Sequence, residues 1–290
     1  MRIAQYEYSE KIGQGSFGII YKGVNVKTGE KVVVKTEPYD IEYSSLKHES
    51  TIMNMLYSKS CRSIPPTYWY GVNFPTKERI MILPMYQETL EQFMLKTNKR
   101  NSVSNEYCGN IMRSAIRVLS HIHGRYVVHR DIKPANWMLN NQELILIDFG
   151  MASFYVDSST DHLPPVSSPK SSIIGTPKYA SWNIHCGEEY SRRDDLMSLV
   201  YIGLFIVYGE NLWPIPSAIT ESVGGCENHY RMNPVNQWFK LNKELPMILE
   251  IVTEKWPELA EFAKLAYATE FKDIPDYEAM EELFCPIKTI

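Results

Sequence analysis

The sequence has few cysteines and lacks a long apolar run. Its 290 residues include five cysteines, and no two of them have the Cys-x-x-Cys spacing of redox and zinc motifs. This argues against a disulfide framework or a zinc site and favours a reducing compartment. The longest uncharged apolar stretch, Leu196–Gly209, falls short of the roughly 20 residues that a membrane-spanning helix needs, and it predicts a buried core helix.

No charge of one sign dominates, and no targeting signal is recognisable. Lys and Arg number 30 against 34 Asp and Glu, which gives a net charge of −4 and no sign of a nucleic-acid-binding surface. The N-terminus has no apolar signal segment, Arg2 stands where myristoylation requires glycine, and Cys285 lies too far from the end for prenylation. We expect a monomer of the cytoplasm, and also of the nucleus, that binds neither nucleic acid nor membrane.

The hydrophobic pattern changes from strand-like to helical near Pro84. Before it, β-rich runs separated by glycine-containing turns predict strands around one helix, and after it apolar residues recur at helical spacing. A segment rich in Ser and Pro predicts an exposed loop at Asp157–Ser172. The predicted strands are Tyr6–Gly13, Ile19–Val26, Lys31–Thr36, Thr67–Gly71, Arg79–Leu83 and Leu144–Ile147. The predicted helices are Leu46–Tyr57, Leu90–Leu95, Val103–His123, Asp195–Tyr208, Met247–Thr253, Trp256–Ala268 and Tyr277–Leu283.

A Gly-x-Gly-x-x-Gly pattern joins the first two predicted strands. Glycines let a backbone approach phosphates closely, but the pattern alone also fits a hairpin turn or a dinucleotide site. A dinucleotide site needs a strand followed by a helix, whereas β-branched residues follow here, which favours a lid over ATP phosphates. The residues predicted to cover the nucleotide are Ile12, Gly13, Gln14, Gly15, Ser16, Phe17, Gly18, Ile19 and Ile20.

Lys35 lies inside the third predicted strand, where a lysine is unusual unless it is paired. Glu49 on the following helix is its natural partner. The functional interpretation is an ion pair that places Lys35 on the α- and β-phosphates of ATP. The alternative is a surface lysine and a solvated helical glutamate, and these two residues alone do not decide between them.

The run His129–Asn136 has the form His-Arg-Asp-x-Lys-x-x-Asn, and an apolar strand followed by Asp148-Phe149-Gly150 comes after it. Phosphoryl transfer needs one carboxylate to orient the substrate hydroxyl and accept its proton. It also needs oxygen ligands for Mg²⁺ and cations that offset the phosphate charge. Several independent matches in the correct order make a chance loop a poor explanation.

These motifs together resemble those of eukaryotic protein kinases, from about Tyr6 to about Phe284. The resemblance implies an α+β, bilobal protein-kinase fold with a small β-rich N-lobe and a larger, mainly helical C-lobe. The N-lobe would comprise residues 1–83, with a five-stranded sheet and one helix, followed by a hinge at 84–87 and the C-lobe at 88–290. Leu83 would be the gatekeeper, and Met85 and Tyr86 would contact the adenine of ATP.

The resemblance also implies the roles of the catalytic residues, with ATP and Mg²⁺ as cofactors. Asp131 would be the catalytic base and Lys133, typical of Ser/Thr kinases in this superfamily, would neutralise the γ-phosphate. The hydroxyl of Thr176 would bridge those two residues. Asn136 and Asp148 would hold Mg²⁺.

Later segments resemble the casein kinase I family more closely. Gly175–His185 is similar to that family's GTxRYASxNxH segment, and Ser191–Leu196 to its SRRDDL segment, which replace the usual Ala-Pro-Glu form. In this setting Asp195 is expected to cap the long apolar helix and to hold the backbone of His129 and Arg130.

The same resemblance implies protein substrates with Ser or Thr near acidic or phosphorylated residues. Lys178 stands where the family has Arg, which keeps the charge and loses the bidentate fork. Arg130 is a second candidate for the substrate anion, whereas Arg192 and Arg193 could simply pair with neighbouring aspartates. We therefore predict a Ser/Thr protein kinase that is active without phosphorylation of its activation loop.

Three alternatives stay open. A pseudokinase scaffold would have lost at least one of Lys35, Asp131, Asn136 and Asp148, and all four are present. A small-molecule phosphotransferase is disfavoured by Gly175–Asn183, which resembles the peptide-docking platform of protein kinases. A related Ser/Thr kinase branch would share the chemistry and differ in its substrate.

Overall fold

The computed structural model of the chain describes residues 1–15, 18–59, 61–98, 104–141, 143–165, 173–209, 213–221 and 233–285. The chain forms two compact units. The first, here the strand-rich unit, comprises Met1–Glu88 and Met138–Ala152; the second, the helical unit, comprises Thr89–Trp137 and Ser153–Ile290. Asp148 thus belongs to the strand-rich unit, although the expected N-lobe ended at residue 83.

Each predicted strand and helix has an observed counterpart whose ends lie within three residues, whereas five short strands and three α-helices of the described ranges were not predicted. The strands are β1 (Arg2–Ile3), β2 (Tyr6–Gly15), β3 (Gly18–Asn25), β4 (Lys31–Pro38), β5 (Trp69–Asn73), β6 (Glu78–Pro84), β7 (Glu88–Thr89), β8 (Val127–Val128), β9 (Trp137–Asn140), β10 (Glu143–Leu146) and β11 (Ser153–Phe154). The helices are α1 (Ser45–Leu56), α2 (Leu90–Asn98), α3 (Asn105–His123), α4 (Trp182–His185), α5 (Arg192–Tyr208), α6 (Ser217–Glu221), α7 (Pro234–Asn242), α8 (Leu245–Val252), α9 (Pro257–Ala268) and α10 (Tyr277–Glu282).

An antiparallel sheet with the strand order β1-β2-β3-β4-β6-β5 organises the strand-rich unit. It has one strand more than the five expected, because Arg2–Ile3 pairs with the start of β2. Side chains alternate between the two faces of a strand, and one face of this sheet buries an apolar cluster. Its members are Tyr6, Tyr8, Val32, Val34, Ile80 and Ile82.

Helix α1 belongs to the same unit and presents one charged side chain inward. The hydroxyl of Ser44 accepts a hydrogen bond from the Lys47 N–H and caps its first turn. The helix buries an apolar stripe that includes Ile52 and Met53, and Glu49 is buried beside them. A buried carboxylate needs a cationic partner, and Lys35 on β4 is that partner.

Helix α5 is the central helix of the helical unit and is buried nearly throughout. Its N-cap is Ser191 rather than Asp195, so the predicted cap was wrong: the Ser191 N–H donates to the Asp194 carboxylate. At Gly203 a Cβ would lie 2.5 Å from the Leu259 side chain, so glycine lets α9 pack closely. In the described ranges, no helix has the length and apolarity needed to cross a membrane.

Candidate active site

The glycine-rich pattern lies at the tip of the hairpin formed by β2 and β3. Gly13 pairs with Ile20, Gln14 with Ile19, and Gly15 with Gly18, so a strand follows the turn rather than a helix. A dinucleotide site is therefore excluded for this pattern. Gly18 is the glycine that the backbone requires, because a Cβ there would lie 1.9 Å from the Thr36 carbonyl oxygen. The predicted nucleotide contacts Ser16 and Phe17 lie outside the described residues.

A buried ion pair occupies the interior of the strand-rich unit. The Lys35 Nζ lies 2.6 Å from the Glu49 carboxylate and 3.8 Å from the Asp148 carboxylate. The Lys35 and Glu49 side chains are only 15% and 3% exposed, which rules out the solvated interpretation. Burial lowers the pKa of Lys35, but the carboxylates of Glu49 and Asp148 together raise it above its ordinary value. Lys35 therefore stays positively charged although its side chain is largely buried.

Helix α1 also holds the Asp148-Phe149-Gly150 turn. The His48 Nε2 lies 2.8 Å from the Ala152 carbonyl oxygen, and the main chain of Phe149 hydrogen-bonds to Glu49. Asp148 itself has a left-handed backbone (φ 67°, ψ 69°), which costs an L-residue about 1–2 kcal/mol. Such strain persists only where neighbouring contacts fix the backbone. His48 was missed from the sequence because no motif spacing marks it.

A second cluster, the Asp131 cluster, forms in the helical unit from Asp131, Lys133, Asn136 and Thr176. The Lys133 Nζ donates to Asp131 Oδ2 at 2.7 Å and to Thr176 Oγ1 at 3.0 Å. The Thr176 hydroxyl and N–H both donate to Asp131 Oδ1, at 2.8 and 2.9 Å. The expected bridge by Thr176 is thus present. Asn136 Nδ2 donates to the Asp131 carbonyl oxygen at 2.8 Å.

These contacts keep the Asp131 carboxylate charged. Burial raises its pKa, but the hydrogen bonds and charge of Lys133, with the Thr176 hydroxyl, lower it below the ordinary value. Four donors fix the ionised carboxylate: the Lys133 ammonium, the Asn136 amide, and the hydroxyl and N–H of Thr176. An incoming hydroxyl can take the place of the longest of these hydrogen bonds, the one from Asn136 at 3.2 Å, and donate to the carboxylate. The cluster can therefore orient a nucleophile and take its proton.

Gly175 brings Thr176 to this carboxylate. Its φ is 87°, in the left-handed region, and a Cβ there would lie 2.4 Å from the Arg130 carbonyl oxygen. Any side chain would be strained by the backbone angle and would clash with the backbone of Arg130. The glycine thus allows the close approach on which the Thr176 contact depends.

Asp195 fixes the loop that carries Asp131. Its carboxylate accepts hydrogen bonds from the N–H groups of His129 and Arg130 at 2.7 and 3.0 Å, as the sequence predicted. It also accepts from Tyr190 at 3.0 Å and contacts His123 Nε2 at 2.9 Å. Burial raises the pKa of Asp195, but the bonds from the His123 ring and the His129 main chain bring it below its ordinary value.

The residues predicted to hold Mg²⁺ have the chemistry that the ion prefers, which is oxygen from carboxylates and amides. The Asp148 carboxylate is 41% exposed, and none of its oxygens accepts a hydrogen bond within the described ranges. The Asn136 amide nitrogen is engaged by Asp131, which leaves its oxygen free to ligate. No group of three His, Cys, Asp or Glu side chains in the described ranges could bind a metal alone.

The predicted hinge residues lie at the end of β6. Leu83 is buried, and the Met85 N–H donates to the Lys31 carbonyl oxygen at 3.3 Å. The Tyr86 N–H takes part in no hydrogen bond among the described residues. It is thus available to pair with an adenine edge.

The candidate substrate cations differ in their environments. Lys178 Nζ lies 5.8 Å from the Tyr179 ring centre and 5.9 Å from that of Phe205. Burial lowers the pKa of Arg130, and the nearby Tyr190, Asp195 and Glu189 oppose that shift.

The two arginines at the start of α5 are structural. Arg192 does not pair with its neighbouring aspartates, contrary to the alternative drawn from the sequence: its guanidinium donates to the Lys272 carbonyl oxygen at 2.6 Å and to the Tyr155 hydroxyl at 3.1 Å. Arg193 pairs with Glu188 and, at 3.9 Å, with the neighbouring Asp194, as that alternative proposed. Neither arginine is presented as a free anion contact.

Comparison with known proteins agrees with this geometry. The sequence matches the protein kinase domain family over residues 6–269, so the chain belongs to the protein kinase family. It is similar to casein kinase I homolog 2 of Schizosaccharomyces pombe, with 29% identity over 288 residues, which make up 96% of this chain and 61% of that protein. The predicted α+β protein-kinase fold is confirmed, and the relationship to casein kinase I is confirmed as a distant one.

Proposed function

We propose that the chain is an ATP-dependent Ser/Thr protein kinase of casein kinase I type, acting on Ser or Thr near acidic or phosphorylated residues. The observation that carries the proposal is the Asp131 cluster, in which Lys133 and Thr176 both bind one ionised carboxylate. The buried Lys35–Glu49 pair supports it, because a lysine held charged in a closed setting suits polyanion binding.

In this proposal the residues act by position and charge. Lys35 binds the α- and β-phosphates, and the hairpin of β2 and β3 covers them. The oxygen of the substrate hydroxyl bonds to the γ-phosphorus, and Asp131 accepts the hydroxyl proton. The bond between the γ-phosphorus and the ADP oxygen breaks, and ADP leaves. Lys133 neutralises charge on the transferring group. Asp148 and Asn136 would hold Mg²⁺, which supplies charge neutralisation on the β- and γ-phosphates.

Replacing Thr176 with Val should lower kcat by about five- to tenfold. The change removes one hydrogen bond to the Asp131 carboxylate, worth about 1 kcal/mol, and keeps the Thr176 N–H that also donates to it. Thr176→Ser is the matched control, because it retains the hydroxyl, and it should keep kcat within about twofold. Steady-state kinetics with a Ser peptide make the comparison, and equal kcat values for the Val and Ser variants would refute the role.

Two matched Ser peptides test the substrate class. One carries phosphoserine three residues before the target, and the other carries Ala there. We expect kcat/KM to be about tenfold higher for the phosphorylated peptide, because a charge-assisted hydrogen bond is worth about 1.5–3 kcal/mol. Lys178→Met should remove most of this preference and leave turnover of the Ala peptide unchanged.

The outcomes separate the two parts of the proposal. Equal turnover of both peptides would contradict the preference for phosphorylated substrates and leave the kinase activity standing. If neither peptide nor casein is phosphorylated above an Asp131→Asn blank, the kinase proposal is wrong and the scaffold alternative gains.

A further inference from the structure

Lys243 follows directly after α7 and is completely buried. Its Nζ donates hydrogen bonds to the carbonyl oxygens of Pro177 and Ala180, at 2.9 and 2.6 Å. The ring Nε2 of His185 lies 3.1 Å away and is a third partner. An ammonium has three N–H donors, so the surroundings match its full donor capacity.

The partners of Lys243 are polar but uncharged. No carboxylate in the described ranges forms an ion pair with it. Instead the centres of the Tyr201, Phe239 and Trp213 rings lie 4.5, 4.9 and 5.1 Å from Nζ, within the range of cation–π attraction. Burial lowers the pKa of Lys243 well below its ordinary value. The group therefore depends on its three acceptors and three rings to stay charged.

His185 is set up as an acceptor. Its Nδ1 faces the Asn236 side-chain oxygen, and the Asn236 amide nitrogen donates to the His185 carbonyl oxygen at 3.3 Å. Because Nδ1 faces an acceptor it carries the proton, so Nε2, which lies 3.1 Å from the Pro177 carbonyl oxygen as well as 3.1 Å from the Lys243 Nζ, is left to accept from Lys243. Burial and the neighbouring Lys243 lower the pKa of His185 to about 3, which keeps the ring neutral at physiological pH.

The two carbonyls that Lys243 binds belong to the turn that follows Thr176. Within this turn the N–H groups of Tyr179 and Ala180 both donate to the Thr176 carbonyl oxygen, at 2.8 and 2.9 Å. Lys243 thus reaches from α7 to a backbone loop whose first residue touches the Asp131 carboxylate. Because buried carbonyls need donors, removing the ammonium would leave the turn with unsatisfied acceptors.

We propose that Lys243 is a positioning residue for the protein substrate, which fixes the turn 177–180 so that a polypeptide can dock beside Thr176 and Asp131. The inference rests on the proposed kinase function. It assigns the control of peptide binding, rather than of nucleotide binding, to a buried cation that binds the turn through Pro177 and Ala180. It also explains why a lysine occupies position 243, where the surrounding aromatic rings would otherwise favour an apolar side chain.

Lys243→Met tests the proposal, because Met preserves length and apolar volume and removes all three donors. We expect the KM for a Ser peptide to rise at least about tenfold, while the KM for ATP stays within about twofold. Hydrogen exchange of the Tyr179 and Ala180 amides should accelerate at least about tenfold, as the turn loses its anchor. Lys264→Met is the matched control, since among the described residues that exposed lysine pairs with Glu261 alone, and it should change none of these values.

A milder variant covers the case in which Lys243→Met does not fold. Phe239→Leu removes one ring from beside the ammonium and should raise the peptide KM about threefold in the same direction. A folded Lys243→Met protein with unchanged peptide KM and unchanged amide exchange would overturn the proposal. So would a rise confined to the KM for ATP. If the wild-type chain phosphorylates nothing, the kinase proposal fails, but the amide exchange still decides whether Lys243 holds the turn.

Discussion

Asp131→Asn is expected to lower kcat for phosphoryl transfer by about 10²–10⁴-fold, the usual contribution of a positioned general base. The Asn side chain has the same size and can still accept one hydrogen bond, but it carries no charge and cannot take a proton. Its amide nitrogen would also face the Lys133 ammonium, which now lies 2.7 Å from a carboxylate oxygen. The KM for ATP should change little, because Asp131 has no proposed contact with the nucleotide.

Steady-state kinetics with a peptide substrate measure this effect. Asp273→Asn is the matched control: this carboxylate accepts one N–H at the surface and should leave kcat unchanged. Circular dichroism and thermal melting would show that the Asp131→Asn protein is folded. A kcat within about tenfold of the wild type would mean that Asp131 is not the base, and the scaffold interpretation would have to be tested by nucleotide binding alone.

The motifs of the candidate site could be predicted from the sequence because each depends on the order of residue types along a short stretch of chain. His129–Asn136 and Asp148-Phe149-Gly150 carry their residue types at fixed spacings, and the structure places their side chains in two compact clusters. The Lys35–Glu49 pair could be predicted only as one of two options. A sequence shows that a strand lysine needs a partner, but it does not show burial, and the 3% exposure of Glu49 settles the matter.

The supporting contacts could not be predicted, because they join residues that are distant along the chain. Lys243 binds carbonyl groups more than sixty positions before it, and backbone acceptors leave no trace in residue type. Helix α7, which leads to Lys243, was missed although Asn233 caps it and Pro234 occupies its first position. This Asn-Pro pair is a helix-start signal that could have been used. His48 has no such signal.

Asp195 illustrates a partly correct prediction. Its hydrogen bonds to the His129 and Arg130 backbone follow from the motif. Its assignment as N-cap was wrong, because the helix begins at Arg192, three residues earlier than expected, and Ser191 is the N-cap. Arg130 has a left-handed backbone (φ 68°), and this strained conformation is the reason that the hydrogen bonds from the loop to Asp195 are needed. A strained residue directly before Asp131 persists only if its neighbours fix it, and the carboxylate of Asp195 does so.

Asp195→Ala should therefore lower the free energy of unfolding by about 3–5 kcal/mol, the usual cost of removing one partner from a buried charged network. Four donors would lose their acceptor at once: the His129 and Arg130 N–H groups, the Tyr190 hydroxyl and the His123 ring. Released strain at Arg130 would also displace Asp131, so kcat should fall even in the folded fraction. Urea unfolding at fixed temperature measures the change in the free energy of unfolding. The kcat per folded molecule measures the effect of displacing Asp131.

Asp276→Ala provides the scale for this measurement. That carboxylate caps α10 by accepting the Ala279 N–H at 3.0 Å, so its loss should cost only about 1 kcal/mol. Asp195→Asn should fall between the two, because the amide keeps one acceptor oxygen but places a donor group against N–H donors. If Asp195→Ala destabilised the chain no more than Asp276→Ala, the network around Asp195 would be dispensable. The strained turn at Arg130 would then need another support, and the two hydrogen bonds from Thr176 to the Asp131 carboxylate, together with the close approach of Gly175 to the Arg130 carbonyl oxygen, would have to supply it.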